Sequence, residues 1–349
     1  MRALLVLLAL GTFTAQAATF YRGTVGVQAV VLKLNGAGGS YFYARRGVDI
    51  PLEVQESEGA LAVTEVISSF DQLPNGDYGK VTGRMDLTRA AGDLTGTWHS
   101  PDGARNLPVR LKPVNVAAER LALPATPGLL KLRAEDALSF LKLNHPFAPA
   151  PGRASLNWLR EPLSGVVYPR LPGRAPGNAA LQDRQLAAAV DALACQSDLG
   201  DKDAGQTAWT QTTRVTWLSP RLLSLQDDVE YFCGGAHPDA YTSGLILDRA
   251  TGRTLTAHDL WPRLSPATLH RRYLAAYPRT ADNGDCLAAI QQTEPDWVNT
   301  PDAYTTFLSA RGLTVWPTYL PHVALACAEE VTLPYASLAP LAGPLAPRR

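Results

Sequence analysis

Histidines in the second half of the sequence are the side chains whose chemistry could support catalysis or metal binding. His237 lies within the segment 234–238, GGAHP, whose glycines allow the backbone to approach a ligand closely. His258 precedes Asp259 farther along the chain, and His322 follows later. Neutral imidazole is a general base and a metal ligand, so these residues could serve a hydrolytic reaction or hold a metal ion.

The partners that such chemistry needs are missing from the sequence. A hydrolase serine would lie in a G-x-S-x-G turn and a zinc hydrolase would carry H-E-x-x-H, but neither pattern occurs. Isolated histidines at these spacings are typical of turns with local hydrogen bonds. We therefore predict no catalytic residue, no metal site and no cofactor, and interpret His237 as part of a recognition or structural loop. A cell-wall hydrolase or deacetylase centred on His237 stays open as the alternative.

Two pairs of adjacent carboxylates, Asp227-Asp228 and Glu329-Glu330, could be taken for an acid–base pair. Adjacent residues of a strand point to opposite faces of the sheet, so the members of either pair cannot share a substrate. We interpret both pairs as solvated charges.

All four cysteines, Cys195, Cys233, Cys286 and Cys327, lie in the second half of the chain. An even number in an exported protein indicates disulfides, and four cysteines allow three connectivities. We favour Cys195 with Cys233, at a helix end and a strand end of one layer, and Cys286 with Cys327 around the later segment. A zinc site is the weaker alternative because no C-x-x-C spacing occurs.

The segment 221–261 is predicted to position the candidate loop. Alternating apolar residues indicate one strand before the glycine corner and a second strand after it. Asp248 to Gly252 then closes the second strand, with the glycine where a turn requires positive φ. These features predict a meander.

The same segment carries a resemblance to a known family. CGGAHP, an apolar strand, D-x-x-T-G and D-L-W occur in this order, and similarity extends to Tyr168-Pro169-Arg170-Leu171 upstream and to GLTV at 312–315 and VTLPY at 331–335 downstream. The region resembles the uncharacterised extracytoplasmic domain of the RsiV-type lysozyme-binding anti-sigma factor, which is also found beside peptidoglycan deacetylase catalytic domains. The resemblance implies a secreted α+β binding or sensing domain.

A binding surface on loops of the second domain follows from this resemblance. The candidate binding residues are Tyr231, Gly234, Gly235, His237, Pro238 and Tyr319. The expected partner is a protein, for which lysozyme is the example that the family offers, or a cell-wall glycan. An anti-sigma role in the literal sense is not expected, because it would require a cytoplasmic segment and a transmembrane helix.

The N-terminus and the charge balance indicate where the protein acts. Residues 1–17 combine a charged start, the apolar run Ala3–Leu10 and an Ala-x-Ala site, which predicts a signal peptide cleaved near Ala17 and a secreted or periplasmic protein. No later run is long and apolar enough to predict a membrane span. Basic and acidic residues number 32 each, so the sequence lacks the basic excess typical of nucleic-acid binding.

Residues 18–113 predict an all-β meander or small barrel, because short alternating runs are separated by glycine-rich turns. Val25 to Lys33 is predicted as one strand, followed by a turn at Gly38-Gly39. Asn75-Gly76 is the strongest hairpin signal. Trp98, in LTGTW, is similar to the tryptophan that plugs one end of lipocalin-type barrels; the alternative is an ordinary core aromatic.

The remaining chain completes an α+β prediction for a protein of 349 residues, a length typical of about two domains. Residues 114–152 are predicted to form a proline-bounded linker with one short helix over 134–143. Residues 153–340 are predicted to form an antiparallel sheet with helices packed on one face, followed by the tail 341–349. One helix is expected to be capped by Asn178 and the next by Ser265.

Overall fold

The computed structural model describes residues 18–68, 79–199, 208–234, 237–279, 284–292, 300–320 and 322–347. These residues form two compact units. The first contains residues 18–120 and 133–142, and the second contains 121–132, 143–199 and the described residues from 208 onward. The segment that we interpret as a linker therefore contributes residues to both units. The predicted signal peptide and the Asn75-Gly76 turn lie outside the described residues.

The first unit contains a closed antiparallel barrel in which every strand pairs with its neighbours in sequence and β1 pairs with β8. The strands are β1 Thr19–Val25, β2 Gln28–Asn35, β3 Gly38–Tyr43, β4 Asp49–Ser57, β5 Ala60–Ser68, β6 Gly79–Ala90, β7 Asp93–His99 and β8 Asn106–Pro113. The predicted all-β meander or small barrel is thereby confirmed.

Two turns of the barrel differ from the prediction. The run from Val25 to Lys33 is divided at Gly26, whose φ is +60°, and Val27 at this turn is almost fully exposed. Gly39 lies within β3 instead of in a turn, and a Cβ there would come 2.3 Å from the Lys33 carbonyl oxygen. Glycine is needed at that position for close strand contact, which a turn signal in the sequence cannot distinguish from a reversal.

Apolar side chains fill the barrel around one buried carboxylate. Glu65 is 3% exposed and accepts hydrogen bonds from Tyr41 Oη at 2.6 Å, Trp98 Nε1 at 2.6 Å and Thr82 Oγ1 at 3.1 Å. Trp98 packs in the core with Val63 and other apolar residues, as an ordinary core aromatic does. The buried donors Tyr41 and Trp98 therefore have an acceptor inside the barrel, which the half-buried Thr82 shares.

Two helices, α1 Pro127–Glu135 and α2 Ala137–Leu143, occupy the segment where one helix over 134–143 was predicted, so that prediction was wrong. Asp136 separates them, and its carboxylate accepts a hydrogen bond from the Ser139 amide at 3.2 Å. An aspartate at this position caps a new helix, which explains the break. Leu138 of α2 packs against Val31 and Phe42 within the first unit.

The second unit contains three antiparallel sheets and several helices. The strands are β9 Ala148–Ala150, β10 Asn157–Arg160 and β11 Val167–Arg170; β12 Trp209–Leu218, β13 Leu222–Tyr231, β14 Asp239–Asp248 and β15 Thr254–Leu255; and β16 Tyr304–Leu308, β17 Gly312–Pro317 and β18 Val331–Pro334. The helices are α3 Asn178–Leu199, α4 Ala257–Leu260, α5 Pro266–Ala276, α6 Gly284–Gln292 and α7 Tyr335–Leu338. The combination of sheets and helices is the predicted α+β class.

The central sheet, β12 to β15, is covered on both faces. Helix α3 packs on one face, where Leu181 joins Leu223 and Leu225 in one apolar cluster. The sheet of β16 to β18 lies against the other face, where a Cβ on Gly244 would come 2.3 Å from the Thr306 carbonyl oxygen. A second sheet, in addition to helices, therefore contributes to the layering.

Helix α5 begins as its sequence predicts, but α3 does not. Ser265 caps α5 by accepting a hydrogen bond from the Thr268 amide at 3.2 Å. Asn178 lies inside the first turn of α3, and its side chain binds the backbone of Leu171 and Gly173. The predicted cap at Asn178 was wrong because this side chain holds the preceding loop.

Disulfides join Cys195 to Cys233 and Cys286 to Cys327, which confirms the favoured pairing. Within the described ranges, none of the helices combines the length and apolar character that a bilayer crossing requires.

Candidate functional site

The face of the central sheet beneath α3 changes character along the strands. The cross-strand register places Leu225 beside Leu245, then Asp227 beside Ser243, and finally Tyr231 at the end where β13 leaves the sheet. Residues two apart in a strand share a face, so these rows follow one another on the same surface. The surface thus passes from an apolar core to a polar network and then to aromatic rings.

Three aromatic side chains meet at the end of this face, and we call Trp209, Tyr231 and Tyr241 the aromatic corner. Trp209 lies directly opposite Tyr231 in the β12–β13 pairing. The ring centroids are separated by 5.6 Å for Trp209 and Tyr231, 6.1 Å for Tyr231 and Tyr241, and 6.2 Å for Trp209 and Tyr241. Tyr241 is 39% exposed, so the corner presents an aromatic surface to solvent.

A disulfide fixes the backbone beside the aromatic corner. Cys195 of α3 is joined to Cys233, two residues beyond Tyr231, and the chain then reverses at Gly234 with a φ of +96°. The Phe232 amide donates to the Ala208 carbonyl at 2.8 Å, which ties the two strand ends together. The rings therefore stand on a rigidly held platform.

The polar atoms of the corner suit hydrogen bonding. Tyr231 Oη donates to Asp239 Oδ2 at 3.1 Å, and burial together with this carboxylate raises the pKa of Tyr231. Burial and the nearby Asp191 raise the pKa of Tyr241 to about 12. Both phenols stay protonated at neutral pH, so they can donate hydrogen bonds. Trp209 Nε1 is buried without a hydrogen-bond acceptor in the described part of the chain.

Asp227 supports the corner from below and is not a solvated charge, so that interpretation was wrong. It is 2% exposed, accepts from Thr213 Oγ1 and Arg184 Nε at 2.8 Å each, and also accepts from the Tyr168 phenol. Burial and this carboxylate raise the pKa of Tyr168, which stays protonated. Asp228 faces the other side and accepts from Thr242 Oγ1 at 2.8 Å, as the opposite-face argument predicts.

The predicted binding residues do not all belong to this corner. Tyr231 is one of its rings, and Gly234, His237 and Pro238 follow it in the chain, whereas Gly235 lies outside the described residues. His237 Nδ1 is 3.1 Å from the Pro238 carbonyl oxygen. Tyr319 is in another cluster: its Oη is 3.3 Å from that of Tyr304, and no ring contact or hydrogen bond found in the described ranges joins it to the corner.

The other histidines and carboxylates from the sequence do not assemble around His237. Asp259 serves a capping box with Thr256 at the start of α4, next to His258. The side chain of His322 lies outside the described residues. Among the residues that the structure describes, no group of three or more His, Cys, Asp and Glu side chains could hold a metal ion.

Sequence reasoning missed Trp209, Tyr241 and the buried Asp227. The signal for Asp227 was available, because the series of alternate residues 223, 225, 227, 229 and 231 is apolar or aromatic except at this position. A single carboxylate in an otherwise apolar alternation indicates a buried, hydrogen-bonded acid. Tyr241 and Trp209 lie on different strands, and only the register brings them together with Tyr231.

Comparisons with known proteins give a distant structural likeness. No family model matches the sequence, and no curated protein matches it. A DUF3298 family protein from Pseudomonas aeruginosa shares 17% identity with a TM-score of 0.29, over 58% of this chain and 94% of that chain. A member of the same family from Bacteroides fragilis shares 13% identity with a TM-score of 0.30, over 84% of this chain and 94% of that chain.

Proposed function

We propose that this protein is an exported, non-enzymatic module of the cell envelope that binds a partner protein through the aromatic corner. The observation that carries the proposal is the exposed ring of Tyr241, held against Trp209 and Tyr231 on a platform fixed by the Cys195–Cys233 disulfide. Tyrosine and tryptophan are the residues that dominate binding energy at protein interfaces. A lysozyme-like protein is the partner that the family resemblance implies.

Rigidity supports the proposal as much as composition does. The Arg184 guanidinium bridges Asp227 and Ser243 beneath the rings, with Nη2 donating to Ser243 Oγ at 2.7 Å. A surface that is already ordered loses little entropy on binding, so more of the contact energy remains as affinity. His237 and Pro238 directly precede Asp239, the hydrogen-bond acceptor of Tyr231, and would form the edge of this surface.

Binding of a lysozyme tests the proposal directly. Immobilised lysozyme should capture the mature chain, and Tyr241→Ala should weaken the affinity about tenfold or more, because a central aromatic anchor is lost. Val27→Ala is the control, since Val27 is 97% exposed on the barrel and belongs to the unit that does not contain the aromatic corner. His237→Ala should weaken capture by a smaller factor while the melting temperature stays unchanged.

Soluble peptidoglycan fragments provide the second arm of this experiment. In one outcome the parent chain binds the fragments and not lysozyme, with weaker fragment binding by Tyr241→Ala. That result would identify a glycan, instead of a protein, as the ligand of the aromatic corner. Equal capture of the parent chain and of Tyr241→Ala would show that the aromatic corner is not the binding surface. Release of acetate or of new reducing ends from peptidoglycan, abolished by His237→Ala, would favour the hydrolase or deacetylase alternative.

A further inference from the structure

A second site in the same unit has a different chemistry. A cavity of about 900 Å³ lies between the segments 123–126 and 171–176 and the first turn of α3, with Phe147, Leu156 and Trp158 among its apolar walls. A volume of this size accommodates a small organic molecule. None of the three rings of the aromatic corner lines it, so the cavity is a separate site.

Arg170, at the end of β11, is the buried charge of this cavity. It is 7% exposed; its Nη1 donates to the Pro169 carbonyl at 3.0 Å and its Nη2 to Gln185 Oε1 at 2.6 Å. Both acceptors are neutral, and Arg170 forms no ion pair with a carboxylate in the described part of the chain. A guanidinium removed from water without a counter-ion is costly to the folded protein.

The charged residues that line the cavity are basic, which does not suit a cation. The exposed Arg174 is a second basic residue of the cavity, and no aspartate or glutamate occurs among the described residues that line it. Asp183 acts on Arg170 electrostatically from outside this lining. Burial lowers the pKa of Arg170 to about 10, so it is still a cation at neutral pH. The charged residues of the lining are therefore both basic, and the remaining walls are largely apolar.

One wall is held in place by two neighbouring elements. Asn178 of α3 accepts from the Leu171 amide at 2.7 Å and donates to the Leu171 and Gly173 carbonyls at 3.0 and 3.1 Å. Gly252, with a φ of +77°, lies so close that a Cβ there would come 2.7 Å from the Pro176 carbonyl. The turn after β14 thus packs directly against the loop that lines the cavity.

The opposite wall is also fixed by α3. Gln182 Nε2 donates to the Pro124 carbonyl at 2.9 Å and to Thr126 Oγ1 at 3.1 Å, and the Thr126 hydroxyl donates to Asp183. Hydrogen bonds within the protein therefore hold both walls in place. A preformed cavity binds without first losing the entropy of its own loops.

We propose that this cavity binds an organic carboxylate, with the acid group paired to Arg170 and an apolar body against Phe147, Leu156 and Trp158. Guanidinium and carboxylate form charge-assisted, commonly bidentate hydrogen bonds, which would neutralise the buried charge. The acid can belong to a small free molecule or to the C-terminus of a peptide, and both offer the same group to Arg170.

Octanoate is the first probe, and its primary amide is the neutral partner of equal length. Calorimetric titration of the mature parent chain at neutral pH should show saturable binding of octanoate. Octanamide should bind with an affinity lower by roughly tenfold or more, because only the acid forms charged hydrogen bonds. This comparison requires no variant. Equal affinity for the acid and the amide, or no saturable binding of octanoate, would overturn the proposal.

Variants locate the site. Arg170→Met should lower octanoate affinity by roughly tenfold or more, whereas Arg160→Met, which removes an exposed arginine outside the lining of the cavity, should leave it unchanged. Should Arg170→Met fail to fold, Ala179→Leu narrows the cavity from the first turn of α3 and should abolish binding. Undiminished octanoate binding by either variant in its folded form contradicts the assignment.

A leucine-ended tripeptide, with a free and with an amidated C-terminus, distinguishes the two sources of the acid. Competition with octanoate by the free peptide alone identifies a polypeptide C-terminus as the ligand class. Octanoate binding without competition by either peptide identifies a small free acid. Lysozyme capture by Arg170→Met should equal that of the parent chain, so the two proposed sites fail or succeed independently.

Discussion

The Glu65 cluster in the barrel and the candidate sites of the second unit differ in how their buried polar groups are paired. In the barrel, Tyr41, Thr82 and Trp98 all donate to Glu65. In the second unit, Trp209 Nε1, Trp158 Nε1 and Gln211 Oε1 are buried without a hydrogen-bond partner in the described ranges, and Arg170 has no acidic partner there. The donors in the barrel core share one acceptor, whereas Trp209, Trp158 and Arg170 of the second unit lie in the aromatic corner or line a cavity.

This contrast indicates a division of roles. A buried polar group without a partner weakens a fold, so its presence is expected where a ligand can supply the partner. Gln211 and Trp158 line a smaller cavity of about 430 Å³ next to β12, and Trp209 lies in the aromatic corner. The barrel is therefore expected to contribute stability, and the second unit to contribute binding.

Removal of both disulfides should change the relative stability of the two units most. The cysteines are separated by 38 and 41 residues, and closure of each loop contributes roughly 3 to 4 kcal/mol in the chain-entropy model. In a chain with all four cysteines changed to alanine, urea unfolding followed by circular dichroism should show early loss of the second unit. The urea midpoint of the barrel should stay the same. An equal decrease of both midpoints would show that the two units do not differ in this way.

Loss of the buried Asp227 should destabilise the second unit by about 3 to 5 kcal/mol. Asp227→Ala leaves Arg184, Tyr168 and Thr213 without their shared acceptor, and breaking a buried pair commonly costs this much. Asp228→Ala is the control from the opposite face, where the Arg214 partner is mostly exposed, and should cost less than Asp227→Ala. Urea midpoints of the two variants provide the measurement, and similar values would show that Asp227 is not central.

The barrel should respond to its own buried acid by about 2 to 3 kcal/mol. Glu65→Leu removes one acceptor from three donors, whereas Glu65→Gln keeps an oxygen and should cost less. Urea unfolding of the full chain, followed by circular dichroism, measures the change as a shift of the transition of the barrel. Lysozyme and octanoate binding should stay the same in Glu65→Gln. A loss of either would show that the barrel also contributes to binding.

The smallest expected effect depends on pH and lies in the second unit. His145 Nε2 is 3.0 Å from Glu161 Oε1, and the hydrogen bond to Glu161 raises the pKa of His145 above its ordinary 6.5. Burial raises the pKa of Glu161, but hydrogen bonds from His145, Ser164 and two backbone amides lower it below its ordinary 4.5.

Both groups therefore stabilise the fold most between pH 4.5 and 6.5. The contribution of His145 is lost as the pH rises through its raised pKa, and that of Glu161 as the pH falls through its lowered pKa. His145→Gln should lower stability by about 1 kcal/mol within this window and by less in alkaline buffer. Melting temperatures across the pH range test this, and a constant difference would exclude the ion pair as the cause.

Several features of the fold could be predicted because they depend on neighbouring residues. Alternation of apolar side chains predicts strands such as β13 and β14, Gly252 takes the positive φ that its turn requires, and Ser265 caps α5 before a proline. The even number of cysteines predicts disulfides, and the pattern of helix and strand ends favours the observed pairs. Periodicity, backbone angles and capping are local properties, so the sequence alone contains them.

The tertiary structure decided which side chains meet, since those contacts join distant parts of the chain. Tyr168 reaches Asp227 across 59 residues, the rings of Trp209, Tyr231 and Tyr241 come from three strands, and Arg170 is buried by a helix and loops that precede and follow it. The alternation along β13 can mark Asp227 as a buried acid, but no local pattern specifies which donors surround it or that Arg170 is buried. That outcome depends on register and layer packing, which here turn one apparent surface charge into the support of the aromatic corner and leave Arg170 without an acidic partner in the described part of the chain.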